Sequence, residues 1–135
     1  LSKDEFDIAI ENVQKYLKPG GVFRLIMPDL HKYVTTYLNN YNRDYEYSST
    51  EFINQTLLGT QEFRKRNLLS IIKNGLSNSR HIWLWDDITT MEALKQAGFD
   101  GITKRSFNVS STDYFSNIEK ESSFNNAFCI ECIKR

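Results

Sequence analysis

The first thirty residues combine a helical hydrophobic stripe with a short apolar run. Ser2 and Glu5 have the spacing of a capping box, which predicts the start of a helix. Apolar residues then recur at helical spacing, at Phe6, Ala9, Ile10, Val13, Tyr16 and Leu17. The sequence KPGG at 18–21 predicts the helix end, because proline cannot continue a helix and glycine accepts a left-handed cap. Residues 22–27 then form an apolar run that predicts a buried strand.

The second half of the chain repeats this order of helix, glycine turn and strand. Residues 88–97 have a helical pattern, which either Asp86 as a cap or Thr89 and Glu92 as a capping box would start. The sequence GFDG at 98–101 predicts its end. Two further strands are predicted, at residues 102–107 and 127–133.

The middle of the chain predicts a helical insert over residues 31–76. Asp29 is placed to cap the first of its helices. A polar, tyrosine-rich stretch at 39–49 predicts a loop, and two more helices are expected at 50–58 and 61–76.

This order of elements predicts an α/β or α+β domain with three strands. A central strand such as 22–27 normally has a neighbour on both sides, and a crossover helix normally follows a strand. Neither expectation is met near the start of the chain. Both are met if residues 1–135 are the C-terminal part of a single larger doubly wound domain, which is the organisation we expect.

The overall charge changes which partners to expect. The chain has 17 Lys and Arg residues and 17 Asp and Glu residues, so its formal net charge is zero. This balance gives no electrostatic reason to expect nucleic acid or an anionic membrane as a partner. No apolar run has the length of a membrane span, and the first residues do not have the pattern of a signal peptide. We therefore expect a cytoplasmic protein.

The two cysteines, Cys129 and Cys132, form a C-x-x-C pair on the last predicted strand. Residues three apart on a strand point to opposite faces, so the two thiols are expected to diverge. A second cysteine pair that would complete a zinc site is lacking. We therefore expect structural cysteines and no metal.

Three segments in this order resemble one enzyme family. KPGGVFRLIMPDL at 18–30, HIWLWD at 81–86 and LKQAGFDGI at 94–102 are similar to the C-terminal half of class I S-adenosylmethionine-dependent methyltransferases. The resemblance implies a partial Rossmann-like sheet of three strands, with the last strand antiparallel and inserted between the other two. It is weak over residues 38–76.

The resemblance also implies where the cofactor, S-adenosylmethionine, binds. In the family, a glycine-rich loop after the first strand and an acidic residue at the end of the second hold it. Neither is present in these residues, and no G-x-G-x-x-G occurs. We therefore expect the chain alone to bind the cofactor weakly or not at all and to be inactive. The methyl acceptor is expected to be a small molecule of unknown identity.

Four residues are candidates for the acceptor site. Asp29 follows a strand, where a carboxylate could orient or deprotonate an acceptor, and His81 could act as a base in a segment that resembles the acceptor pocket. Trp83 is a candidate for the pocket wall, and Arg24 for binding an anionic substrate group. The alternatives are a helix cap for Asp29, a surface loop for His81 and a structural ion pair for Arg24. His31 is expected on a solvated helix face.

A non-catalytic α/β module that works through protein contacts is the alternative function. In either case the edge of strand 22–27 is expected to be open, because its neighbour is missing from these residues. An open edge favours self-association or docking. The face of the first helix, residues 2–17, is a second candidate surface for such contacts.

Overall fold

The computed structural model describes residues 2–58 and 83–135. These two ranges contain four α-helices, three strands and one short 3-10 helix. In chain order the elements are α1 (Lys3–Tyr16), β1 (Val22–Pro28), α2 (Leu30–Tyr41), α3 (Ser48–Thr56), α4 (Asp87–Gln96), β2 (Phe99–Arg105), the 3-10 helix (Glu121–Phe124) and β3 (Ala127–Lys134). The architecture is α/β.

The predicted capping box starts α1. The Ser2 hydroxyl oxygen accepts a hydrogen bond from the Glu5 backbone N–H at 3.2 Å, and the Ser2 N–H donates to Glu5 Oε2 at 2.8 Å. Phe6 and Ile10 on this helix are buried in the core. The turn that follows contains Gly20 at φ +77°, a left-handed conformation that suits glycine. The helix therefore ends before Lys18 and Pro19 as predicted, but the predicted left-handed glycine cap is wrong. The C-cap is Leu17 in an extended conformation, and Gly20 belongs to the turn after it.

The sheet has the strand order β1-β3-β2, and β3 is antiparallel to both neighbours. β1 and β2 therefore run in the same direction with the last strand inserted between them, which confirms the predicted arrangement of three strands. The predicted bounds of β2 were wrong. The strand begins at Phe99 and not at Ile102, because Gly98 at φ +88° completes the turn alone. The register then shifts between Asp100 and Thr103.

One face of the sheet packs against α1 and α4. Alternate residues of β3 point to this face and form the main core with residues of the two helices. The buried members of this core are Phe6, Ile10, Trp85, Leu94, Phe99, Phe128, Ile130 and Cys132. Partly buried residues of β1 complete it, namely Phe23, Leu25 and Met27.

The other face of the sheet lies under the connection between β2 and β3, residues 106–126, which we call the strap. Arg24 of β1 and Glu131 of β3 are cross-strand partners on this face. Both contact the strap: Arg24 bonds Glu119, and Glu131 accepts a hydrogen bond from the Ser111 N–H at 2.9 Å. The sheet is therefore covered by helices on one side and by an irregular segment on the other.

The described part of the predicted insert, residues 31–58, contains most of α2 and all of α3. The loop predicted at 39–49 is partly wrong, because α2 continues to Tyr41 and α3 already begins at Ser48. The two helices pack together, with the rings of Tyr37 and Phe52 5.5 Å apart. Favourable packing of this kind holds the last turn of α2 helical despite its polar sequence. The helix predicted at 61–76 lies outside the described residues.

None of the helices in the described ranges is both long enough and apolar enough to cross a membrane.

Candidate functional site

Asp29 lies at the carboxyl end of β1 and is 6% exposed. Its Oδ1 accepts a hydrogen bond from the His31 N–H at 3.0 Å, which caps α2. Its own backbone N–H donates to the Asn126 carbonyl at 2.9 Å, just before β3 begins. The helix cap proposed as one alternative for Asp29 is therefore present. In the part of the chain that the structure describes, no group hydrogen-bonds the second carboxylate oxygen, Oδ2.

The segment before α4 joins the same end of the sheet. Asp29 and Trp85 form a parallel bridge, in which the Leu30 N–H donates to the Trp85 carbonyl at 2.9 Å. Trp85 is buried and packs against Phe6, with ring centroids 4.2 Å apart and ring planes tilted by 37°. Trp83 is 48% exposed, and its ring lies 6.2 Å from that of Trp85. Of these two tryptophans, Trp85 thus belongs to the core and Trp83 is about half exposed.

Two of the four candidate residues therefore share one end of the sheet. The backbone of Asp29 is bridged to Trp85, and the Trp85 ring lies beside the exposed ring of Trp83. His81 lies outside the described residues, and His31 is exposed on α2 as predicted. The chemical roles of Asp29, His81 and Trp83 stay predictions.

Arg24 lies on the other face of the sheet, under the strap, with its side chain 1% exposed. Its Nε donates to Glu119, and its two terminal nitrogens donate to the Ser106 and Val109 carbonyls at 2.9 and 2.8 Å. Further bonds reach Glu119 and Glu131 at 3.1 and 3.3 Å. A guanidinium has five N–H groups, so every donor of Arg24 has an acceptor. The ion pair proposed as one alternative for Arg24 is therefore present, and its substrate-binding role stays a prediction.

The charges of this cluster stabilise one another. Burial by itself lowers the pKa of Arg24, but the hydrogen bond and charge of Glu119, together with the charge of Glu131, outweigh burial and raise it. Burial by itself raises the pKa of Glu131, but hydrogen bonds from Ser110 and Ser111 and the charge of Arg105 outweigh burial and lower it. Arg105 Nε lies 3.4 Å from Glu131. Arg24 and Glu131 are therefore both held in their ionised forms.

A cavity of about 310 Å³ opens beside the Arg24 cluster, between β1 and the strap. Its walls are Arg24, Ile26, Phe115, Ile118, Glu119, Lys120 and Ser123. An anion entering this cavity would have to replace an existing acceptor of Arg24, because no N–H group of the guanidinium is left over. The cavity therefore offers no ready-made anion site.

A larger groove of about 620 Å³ runs between α1 and α4. Sequence reasoning did not find it. The buried residues Ile10 and Trp85 form part of its floor. The groove is formed by the relative placement of two helices that are far apart in the chain, so the local sequence pattern of either helix did not indicate it.

The partners of Arg24 were also missed, although Glu131 carried a signal. Arg24 and Glu131 each interrupt an apolar strand, and the two strands were predicted to be neighbours. Opposite charges in adjacent buried strands are expected to pair, because unpaired buried charges are costly. Glu119 had no such signal, since it lies in an irregular segment.

The two cysteines are free and buried on opposite faces of β3. Cys132 belongs to the core under the helices, whereas Cys129 lies on the strap side. Burial raises the pKa of Cys129 to about 11 and that of Cys132 to about 12. The predicted divergence of the thiols is confirmed. The described ranges also contain no group of three His, Cys, Asp or Glu side chains placed to hold a metal ion.

Comparison with known proteins gives no relationship: no protein-family profile, no curated protein and no solved structure matches this chain.

Proposed function

We propose that the chain is the C-terminal, acceptor-facing part of a class I S-adenosylmethionine-dependent methyltransferase with a Rossmann-like sheet. The observation that supports this most is the sheet itself. β3 lies between β1 and β2 and runs against both. This is the order and direction that the resemblance of residues 18–30, 81–86 and 94–102 implies, and it requires the long return through the strap.

In this proposal the acceptor binds at the carboxyl end of β1. Ligands of open α/β sheets bind outside the carboxyl ends of the strands. Asp29 can orient the acceptor nucleophile through Oδ2, since only Oδ1 is used by the helix cap. Trp83 supplies an exposed aromatic wall, and His81, two residues earlier, is the proposed base. Methyl transfer needs mainly the alignment of nucleophile and methyl group, so few catalytic side chains are required.

S-adenosylmethionine is proposed to bind to residues outside this chain. The glycine-rich loop and the acidic residue that would hold it are not among the 135 residues. The proposal keeps the cytoplasmic location and the small-molecule acceptor expected from the sequence. It includes neither nucleic acid nor a membrane as a partner.

The test compares two proteins: the 135-residue chain and the chain extended by whatever its gene encodes upstream. Both are titrated calorimetrically with S-adenosylhomocysteine. We expect saturable binding by the extended protein, and a dissociation constant weaker than about 10 μM, roughly −7 kcal/mol, or no binding for the chain alone. An upstream region without a glycine-rich loop, together with no binding by the extended protein, would refute the proposal.

The placement of two candidate residues favours a second function, a non-catalytic protein-interaction module. Every donor of Arg24 is used within the chain, and Asp29 already caps α2. Asp29→Asn in the extended protein separates the two functions. The substitution keeps the helix cap, since asparagine is also a good N-cap residue. An enzyme would therefore lose turnover, whereas an interaction module would keep its stability and its binding to its partner.

Self-association or docking through the edge of β1 is the remaining part of the proposal. The Asp29 N–H points to the β3 side, toward Asn126. Backbone groups alternate along a strand, so those of Val22, Arg24 and Ile26 point away from β3. Within the described ranges no strand pairs with this side of β1, and the single bridge from Asp29 to Trp85 covers only its carboxyl end. Such an edge can accept a strand from a second copy or from another segment.

A further inference from the structure

The groove between α1 and α4, which we call the α1–α4 groove, combines an apolar floor with an acidic rim. Ile10, Trp85, Ala93 and Ala97 contribute apolar surface, and Ile88, which is 77% exposed, stands at its side. The charged residues that line it are Lys3, Asp7, Glu11 and Glu92. We infer that this groove docks a cationic amphipathic helix of another protein.

The negative charge of α1 and α4 indicates a positively charged partner. α1 and α4 together carry six carboxylates and three lysines, a net charge of −3 in a chain whose net charge is zero. Lys3 is already paired with Asp7 at 2.7 Å. Glu11 has only a long contact of 3.8 Å with exposed Lys15. Glu92 makes a hydrogen bond to Gln96 and no ion pair with any described residue. Among the described residues, Glu11 and Glu92 are therefore the groove carboxylates with the weakest pairing, and we expect them to bind lysines or arginines of a partner.

The form of the groove suits a helix. It lies between two helices and has a volume of about 620 Å³, enough for several apolar side chains. An amphipathic helix places anchors at positions i, i+3, i+4 and i+7 along one face and leaves its flanks free for charged residues. Apolar anchors of the partner helix would contact Ile88 and the partly buried Ala93 and Ala97, and its cationic residues would lie toward Glu11 and Glu92.

A second copy of this chain is a poorer occupant. A symmetric dimer brings the same patch of both protomers together. The groove would then face a second copy of its own charged lining, one lysine and three carboxylates with a net charge of −2, and like charges across an interface are costly. The acidic rim therefore favours a different, positively charged protein.

The probe is a fluorescently labelled helical peptide of leucine and lysine with one apolar face, titrated with the full chain. Two control peptides accompany it: one of the same composition with scrambled order, and one with glutamate in place of lysine. We expect saturable binding of the first peptide alone, weakened by about 0.5 M NaCl because exposed charges are screened. Equal binding of the glutamate peptide, or no saturation at about 100 μM protein, would overturn the inference.

Matched variants locate the binding surface. The double variant Glu11→Lys, Glu92→Lys should weaken peptide binding at least about tenfold, about 1.4 kcal/mol, whereas Glu46→Lys in the loop before α3 should change it less than about twofold. Ile88→Ser should weaken binding, and Ile118→Ser, at a similarly exposed site on the strap, should not. Thermal melting of each variant checks that the fold is kept. Equal loss in the variants and their controls would place the peptide elsewhere and refute the groove.

Sedimentation of the chain alone tests the other occupant. If the chain dimerises and the double variant Glu11→Lys, Glu92→Lys abolishes dimerisation, the groove is a contact between copies and the inference is wrong. None of these measurements includes S-adenosylmethionine. Their outcome is therefore separate from that of the methyltransferase proposal.

Discussion

Glu131 is the residue on which the buried cluster of charges depends. Its carboxylate lies between Arg24 and Arg105, at 3.3 and 3.4 Å from their nitrogens, and also accepts hydrogen bonds from the strap. Taking a carboxylate out of water is costly unless it is paired and hydrogen-bonded. Glu131 is both paired and hydrogen-bonded, so the cluster stabilises the packing of the irregular strap on the sheet.

Glu131→Gln should destabilise the protein by about 3 kcal/mol, because Arg24 and Arg105 both lose a buried countercharge. Urea unfolding followed by circular dichroism measures the change. Glu121→Gln, at an exposed site of the strap, is the matched control and should cost less than about 0.5 kcal/mol. Equal stability of the two variants would mean that the cluster contributes nothing.

The same pair of proteins gives a pH test. The pKa of Glu131 is lowered in the fold from the ordinary value of 4.5. Its contribution to stability is therefore present above pH 4.5 and is lost as the pH falls through the lowered pKa. The difference in unfolding free energy between wild type and Glu131→Gln should shrink between about pH 7 and about pH 3. A difference that stays constant or grows in acid contradicts this assignment.

Cys129 and Cys132 should be inert toward thiol reagents in the native protein. Both are buried, and burial raises their pKa values to about 11 and about 12, so almost no thiolate exists near neutral pH. A chromogenic disulfide reagent should label neither thiol in the native protein and both in urea. Fast labelling of one thiol without denaturant would show a reactive site that the fold does not explain.

At the scale of the element, local signals were the most reliable. The capping box of α1 and the cap at Asp29 follow from residues within one turn of each helix start, so the sequence alone was enough to predict them. The bounds of β2 and of the loop at 39–49 were less well predicted. They depend on a bulge beside β3 and on packing between α2 and α3, which are tertiary effects.

The start of α4 shows how two local signals compete. Asp86 Oδ1 accepts from the Thr89 N–H at 2.7 Å, so Asp86 is the cap and the alternative capping box at Thr89 and Glu92 is wrong. Asp86→Ala should therefore cost about 1 kcal/mol in thermal or urea unfolding. Glu92→Ala is the matched control and should cost less than about 0.5 kcal/mol. If Glu92→Ala lowered the stability more than Asp86→Ala, the capping box of Thr89 and Glu92 would be the correct assignment.

At the scale of the whole molecule, the order of strands was predicted correctly, whereas the covering of the sheet was not. Helix, glycine turn and strand recur in the chain, and this order, together with the family resemblance, leads to the observed sheet. The strap carries few apolar residues at regular spacing, so no pattern indicated that it lies on the sheet face beside Arg24. For the candidate site, Asp29 was proposed from its position after a strand, and Trp83 from the segment that resembles the acceptor pocket of the family. The α1–α4 groove was missed because it depends on how two distant helices pack.

The side of β1 that pairs with no strand of the described ranges leads to the last prediction, that the chain self-associates through this strand. Val22, Arg24 and Ile26 direct their backbone groups away from β3, and Pro28, which has no N–H, occupies the last such position. Proline is tolerated there because only an outward N–H is lost. The remaining N–H groups form a pairing edge, and the acidic charge of the helix layer makes this edge a better contact between copies than α1.

Val22→Pro removes one outward N–H without removing a bond to β3, so it should weaken self-association about tenfold while the fold is kept. Val22→Ala retains the N–H and is the matched control. Light scattering over a range of protein concentrations up to about 100 μM gives the dimerisation constant of each protein. Wild type that remains a monomer throughout, or equal dimerisation of the proline and alanine variants, would show that the edge of β1 is not the contact.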